Sequence, residues 1–273
     1  SAASEAVCDY AAWASLRLNA PLALLHVLEP VAGAGPTDLS GSIGLGSREH
    51  LLNELAELDE RRARLLREQG KLMLDAAATR VQADGVAEPT LRQRHGRLVD
   101  TLQELEGEIR LLVMGRQGEA GGSAASQVGS QLESVIRTMH RPVLITTGDY
   151  RAPQRVLIAF DNSPSVRKGL DLLIQSPLLV GTTIHLLMVG ADTADARQAI
   201  DAARKRLEEE GFSASSEIRA GEVEEVLLQC RREQEMDLII MGAYGHSRIR
   251  QFLVGSTTTS MLQRTDCPLL LLR

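Results

Sequence analysis

One stretch of this chain carries residue types that could hold a phosphate. Asp237-Leu238-Ile239-Ile240-Met241 is a short apolar run that predicts a buried strand, and Gly242 and Gly245 follow it. Nine residues separate Gly245 from Gly255, after which Ser256 and Thr257 open a segment that reads as a helix. Glycine lets backbone pass close to a ligand, and the unpaired N–H groups of a helix start attract anions. Two glycines alone would suit a tight strand-to-helix turn. The full spacing, with hydroxyls at the helix start, favours a phosphate cradle.

Composition narrows the chemistry. The chain has 273 residues, enough for two domains of ordinary size, and its formal net charge of −6 opposes a general nucleic-acid binder. None of the three lysines, Lys71, Lys168 and Lys205, precedes Ser or Thr, so an ordinary P-loop is excluded. Cys8, Cys230 and Cys267 are far apart and form no C-x-x-C pair, which predicts free thiols in a reducing compartment. The six histidines include no H-x3-H pair, and His26 and His185 on strands predict core or crevice residues rather than metal ligands. Gly41, Gly44 and Gly46 suggest a dinucleotide loop, but Glu49 stands where a third glycine is needed. No apolar run approaches the roughly 20 residues of a membrane span, and no export signal opens the chain. The expectation is a soluble cytoplasmic protein with neither nucleic-acid nor membrane partners.

The elements that must position the motif alternate between strand and helix, the pattern of a parallel sheet covered on both faces. The first half predicts a helix at 4–18, a strand at 21–28, a Gly/Pro/Ser-rich loop at 30–47 and a long helix at 48–83. A strand near 86–95, a helix at 97–107, a strand at 109–114, a helix to His140 and a strand at 142–146 follow. The second half predicts strands at 156–160, 182–189, 213–219, 236–241 and 268–272, with helices between them. The halves repeat one another. Leu-Leu-Val-Met-Gly at 111–115 mirrors Leu-Ile-Ile-Met-Gly at 238–242, and Gly129-Ser130 mirrors Gly255-Ser256. Pro142 and Pro268 each stand thirteen residues after the last motif glycine. Three coincidences in register indicate duplication, with domains at 1–148 and 154–273. The first half lacks a counterpart of strand 156–160; a strand preceding Ser1 is expected.

These residues resemble the universal stress protein family in its tandem form. The family's nucleotide signature is Gly, two residues, Gly, nine residues, Gly, then Ser or Thr, as in Gly242-x2-Gly245-x9-Gly255-Ser256. The resemblance implies, per domain, a five-stranded parallel sheet in the order 3-2-1-4-5 with helices on both faces, an adenine nucleotide alpha hydrolase-like fold. It implies that Asp161, with Ala159 and Phe160 before it, meets the nucleoside, and that Val189 meets adenine through its backbone. Met241, Gly242, Gly245, Gly255, Ser256 and Thr257 would surround ribose and phosphates. His246, Arg248 and Arg250 could screen phosphate charge. Asp161 has a second open role, as a cap for the helix at 164–175, which Ser163 could also fill.

The first half departs from the signature. Gly115 and Gly118 are followed by ten residues, one too many, before Gly129 and Ser130; Val27 matches Val189. Its loop carries Glu119 and no base, with Arg116 the nearby compensation. A nucleotide is therefore expected in the second half and a weaker second site in the first. The function expected is that of a stress-response protein that uses ATP, ADP or AMP, with or without Mg²⁺, as a regulatory signal. Slow ATP hydrolysis or self-phosphorylation near Ser256, and a nucleotide-free scaffold, are the alternatives. The apolar terminal strands at 142–147 and 268–272 predict an intramolecular pseudo-dimer, and a homodimer is also open. Helix 48–83 reads as a solvated helix or as a lid or partner surface.

Overall fold

The computed structural model describes residues 2–29, 45–116, 130–243 and 256–273. The first half runs α1 (Ala2–Leu18), β1 (Ala23–Leu28), α2 (Leu45–Ala83), β2 (Thr90–His95), α3 (Leu98–Leu105), β3 (Leu112–Gly115), α4 (Ser130–Thr138) and β4 (Val143–Thr146). The second runs β5 (Arg155–Ala159), α5 (Pro164–Ile174), β6 (Thr183–Val189), α6 (Ala194–Glu209), β7 (Ser213–Arg219), α7 (Val223–Glu233), β8 (Leu238–Gly242), α8 (Ser256–Arg264) and β9 (Leu269–Leu272).

One seven-stranded sheet, in the order β3-β4-β9-β8-β5-β6-β7, spans both halves. Every pairing within it is parallel except the seam, where β4 meets β9 antiparallel with Val143, Leu144 and Ile145 opposite Leu271, Leu270 and Leu269. The terminal apolar strands thus cover each other's edges, as their composition predicts. Successive side chains point to opposite faces, and both faces are buried, which is why these strands read as unbroken apolar runs. Leu144, Val156, Ile158, Leu238, Ile240, Leu270 and Leu272 pack on one face with α1, α5 and α6. Val143, Ile145, Leu157, Ile239, Met241, Leu269 and Leu271 pack on the other with α4, α7 and α8.

The expectation of a five-stranded sheet in each half holds for strand number in the second half alone. The described part of the first half supplies four strands in two pieces: β1 pairs only with β2, while β3 and β4 join the large sheet. No described strand bridges the edge of β1 to that of β3, so the two pieces do not hydrogen-bond into one layer.

α1 belongs to the first half in sequence but packs in the core of the second. Tyr10, Trp13 and Leu18 lie in the same cluster as Ile158, Leu170 and Leu179. The Tyr10 ring meets Tyr150 edge-on at 4.8 Å, and its hydroxyl accepts the Arg151 N–H at 3.2 Å. Arg17 donates to the carbonyls of Leu178 and Val180. α1 is also clamped to α2. Arg80 donates through Nε to Asp9 Oδ1 at 2.5 Å and through Nη2 to Oδ2 at 2.9 Å, and Nη1 reaches Glu5 at 2.9 Å. Gly70 explains a glycine inside a helix: a Cβ there would stand 2.3 Å from Gln93 Nε2 and 2.5 Å from His26 Cδ2.

The thiols are free among the described residues: Cys230 and Cys267 are buried, Cys8 partly so. Burial pushes the Cys230 thiol up to about 11. No helix of the described residues is long and apolar enough to cross a membrane.

Candidate functional site

β5 sits between β6 and β8, with Ala159 opposite Leu187 on one side and Ile158 opposite Ile240 on the other. The chain leaves β5 toward β6 but enters β8 from β7, at the far side of the sheet. Strand order therefore reverses between β5 and β8, and in such sheets ligands bind outside the carboxyl ends at that point. Ala159, Phe160 and Asp161 leave β5 there; Met241 and Gly242 leave β8 beside them; Val189 ends β6 on the other flank.

Local chemistry fixes each of these positions. Phe160 and Met241 are buried in the cores on opposite faces, so only their backbones can meet a ligand. Asp161 is half-buried, and its Oδ1 accepts the Ser163 N–H at 2.9 Å, a turn that holds the carboxylate at the sheet edge. The residue between them, Asn162, takes φ 56°, a left-handed conformation that asparagine tolerates better than most. The cap of α5 is Ser163, whose Oγ accepts the Val166 N–H at 3.3 Å. Of the two roles open to Asp161, capping α5 thus falls to its neighbour.

α8 opens with Ser256 exposed and Thr257 half-buried. The buried Thr258 hydroxyl donates to the Ala243 carbonyl at 2.9 Å, tying the helix start to the residue that follows Gly242. The N–H groups of that first turn thus lie at the carboxyl end of β8, an arrangement able to bind an anion. Gly245, His246 and Gly255, with Arg248 and Arg250, lie outside the described residues. No group of three His, Cys, Asp or Glu side chains that could hold a metal ion occurs among the described residues.

Among the described residues, the first half does not assemble an equivalent edge. Val27 lies near the end of β1 and Gly115 at the end of β3, on strands that belong to separate sheets. Ser130 opens α4, and Gly118 and Gly129 lie outside the described residues. Arg116 reaches across the seam, where Nη1 donates to the Thr265 carbonyl at 2.7 Å. The orphan carbonyls and negative dipole end of α8 hold the guanidinium there. Its sequence position beside Gly115 gave no sign of that partner.

His185 is a satisfied core group. It is buried on β6, its Nδ1 lies 2.8 Å from Ser215 Oγ and its Nε2 3.5 Å from Glu217. Burial holds its pKa below the ordinary 6.5, against the opposing pull of Glu217. As pH falls, the unfolded chain therefore takes up this proton before the folded one. The contribution is complete above the ordinary value and declines below it, with a slope of at most about 1.4 kcal/mol per pH unit. Urea unfolding between pH 7 and pH 5 should show His185→Gln with a shallower loss of stability than the parent.

A parallel α/β unit wound on both sides of its sheet, with Gly242 at the point of reversal, defines the class, and here two halves are joined edge to edge. The chain belongs to the universal stress protein family, whose model matches residues 1–147 and 153–273. It is 34% identical over 268 residues to a universal stress protein of Synechocystis, covering 97% of this chain and 93% of that one. A universal stress protein of Mycolicibacterium smegmatis is 24% identical over 293 residues, covering 100% of this chain and 94% of its own. The crystal structure of a universal stress protein from Archaeoglobus fulgidus superposes with a TM-score of 0.66 at 20% identity, covering 98% of this chain and 89% of that one.

Proposed function

We propose that the second half, residues 154–273, binds an adenine nucleotide at the carboxyl edge of β5 and β8, and that occupancy of this site is a regulatory signal in a stress response. Asp161 accepts hydrogen bonds from the ribose hydroxyls, and the Val189 backbone meets the adenine ring. The backbone at Met241 and Gly242, with Gly245 and Gly255, lets the phosphates approach the start of α8, where Ser256 and Thr257 donate to them. His246 supplies a further donor. ATP carries the charge that suits a helix start best, and Mg²⁺ would enter with the nucleotide rather than on a protein carboxylate cluster. In the first half, residues 1–148, nucleotide binding is weaker or lost.

The observation that carries this reading is the convergence of Asp161, Val189, Gly242 and the α8 start at one reversal point. The alternative, slow ATP hydrolysis or self-phosphorylation near Ser256, is distinguished by turnover of bound ATP. Mass analysis of ligand released from freshly purified protein, followed by calorimetric titration with ATP, ADP and AMP, tests it. One adenine nucleotide per chain is the expected stoichiometry. No binding at millimolar ATP overturns the reading and leaves a scaffold; steady release of phosphate makes the site an enzyme's.

A further inference from the structure

α2 is 39 residues long, about 58 Å at 1.5 Å per residue, and among its described residues the buried positions lie in its second part. Gly70, Leu74 and Val81 are buried, whereas every residue from Asn53 to Leu65 is exposed. Among the exposed residues are Leu55, Leu58, Leu65 and Leu72, at 46%, 59%, 65% and 69% exposure. Leu58, Leu65 and Leu72 recur every seven residues, and Leu51 extends the series by one repeat in sequence. Leu55 occupies the alternate seam position, three residues before Leu58. A repeat of seven keeps one narrow stripe facing a partner helix as the two supercoil; it is not the wider stripe that seats a helix on a globular core.

Charge along the same arm selects the partner and its direction. Residues 49–60 contain Glu49, Glu54, Glu57, Asp59 and Glu60 and no lysine or arginine. Residues 61–71 contain Arg61, Arg62, Arg64, Arg67 and Lys71 against one acid, Glu68. The pairs Glu57–Arg61 at 3.6 Å and Glu60–Arg64 at 3.5 Å bridge the two blocks within one helix, and both are highly exposed. A parallel copy would lay acid on acid and base on base. An antiparallel copy lays each acidic block on the other's basic block while the leucine stripes face one another.

We infer that the projecting part of α2 is a homodimerisation arm that forms an antiparallel two-stranded coiled coil with the same helix of a second copy, centred near Arg61. The clamp of Arg80 on Asp9 and the close approach at Gly70 fix the base of the arm on the body. The edge strands β4 and β9 are already paired within the chain, so this contact uses a surface that the intramolecular seam leaves open.

Sedimentation equilibrium of the full chain at tens of micromolar tests it, with a mass near twice 29.6 kDa expected. Leu58→Glu combined with Leu65→Glu changes only exposed positions, so far-UV circular dichroism and Tm should hold while association weakens by at least roughly tenfold. Arg62→Glu with Arg67→Glu removes the basic block and should weaken association in the same direction. Spin labels at Arg61→Cys in a Cys8→Ser background should report a short inter-copy distance. Labels at Ala76→Cys should lie more than roughly 45 Å apart, because fifteen residues of rise separate each from the centre. A monomeric parent, a dimer that survives both variants, or short distances at both label positions overturns the inference.

Discussion

Gly242→Val is expected to abolish ATP binding, by at least about a hundredfold or roughly 3 kcal/mol, while leaving the protein folded. Gly242 closes β8 opposite Leu272 of β9, in extended backbone where a β-branched residue is tolerated locally. The variant therefore separates binding from stability. What it alters is access: the proposed site places phosphate against the Gly242 backbone, and the added isopropyl group would occupy that approach. Gly242→Ala, which adds only one carbon, should lose less. Asp161→Asn is the companion test, since an amide oxygen can still accept the Ser163 N–H that holds the turn but carries no charge. It should weaken nucleotide binding with little change in Tm. Unchanged ATP affinity in a folded Gly242→Val protein would remove the site from this edge.

The sequence makes the strands and the duplication legible because both leave one-dimensional traces. Runs such as Leu269-Leu270-Leu271-Leu272 are apolar throughout because both faces are covered, and register repeats such as 111–115 and 238–242 survive as spelling. The pairing of β4 with β9 follows from the same logic, since two apolar terminal edges need cover. What a pattern along the chain does not encode is which surface covers an apolar face. Residues 4–18 read as a helix, yet the place of Tyr10 and Trp13 against Leu170 and Leu179 of the other half depends on three-dimensional packing. Arg116 misleads for the same reason: its neighbours in sequence are Gly115 and Gln117, and its partner is a helix end 149 positions away. The split of the first half into two sheets had a sequence signal, the missing counterpart of strand 156–160. Its consequence is that Val27 and Gly115 share no sheet edge. For the second half, Asp161, Val189 and Gly242 follow or end the adjacent strands β5, β6 and β8, and Ser256 and Thr257 open α8, positions up to 96 residues apart in the chain.

Leu270→Ala should destabilise the whole chain by about 2–5 kcal/mol, the range for emptying a fully buried leucine site. Leu270 is 1% exposed and lies opposite Leu144 across the seam and Ile240 within its own half. The seam has only three residue pairs in register, so backbone hydrogen bonds alone give it little strength. Its stability must come from the side chains above and below. On one face Leu144 and Leu270 share a cluster with Tyr10 and Trp13; on the other Ile145 and Leu269 share one with Leu132, Ile136, Met261 and Leu262. Each cluster draws residues from both halves, so emptying one position loosens both. Leu144→Ala and Leu270→Ala should therefore lower the same thermal transition, and the double variant should depart from additivity by about 0.5–3 kcal/mol, as contacting residues do. Two transitions in calorimetry, with each substitution moving only the one that reports its own half, would mean that the halves fold as separate bodies. A single shared transition instead makes the seam part of one core, through which a change at the β5–β8 edge can reach α1 and, through the Arg80 clamp, the base of α2.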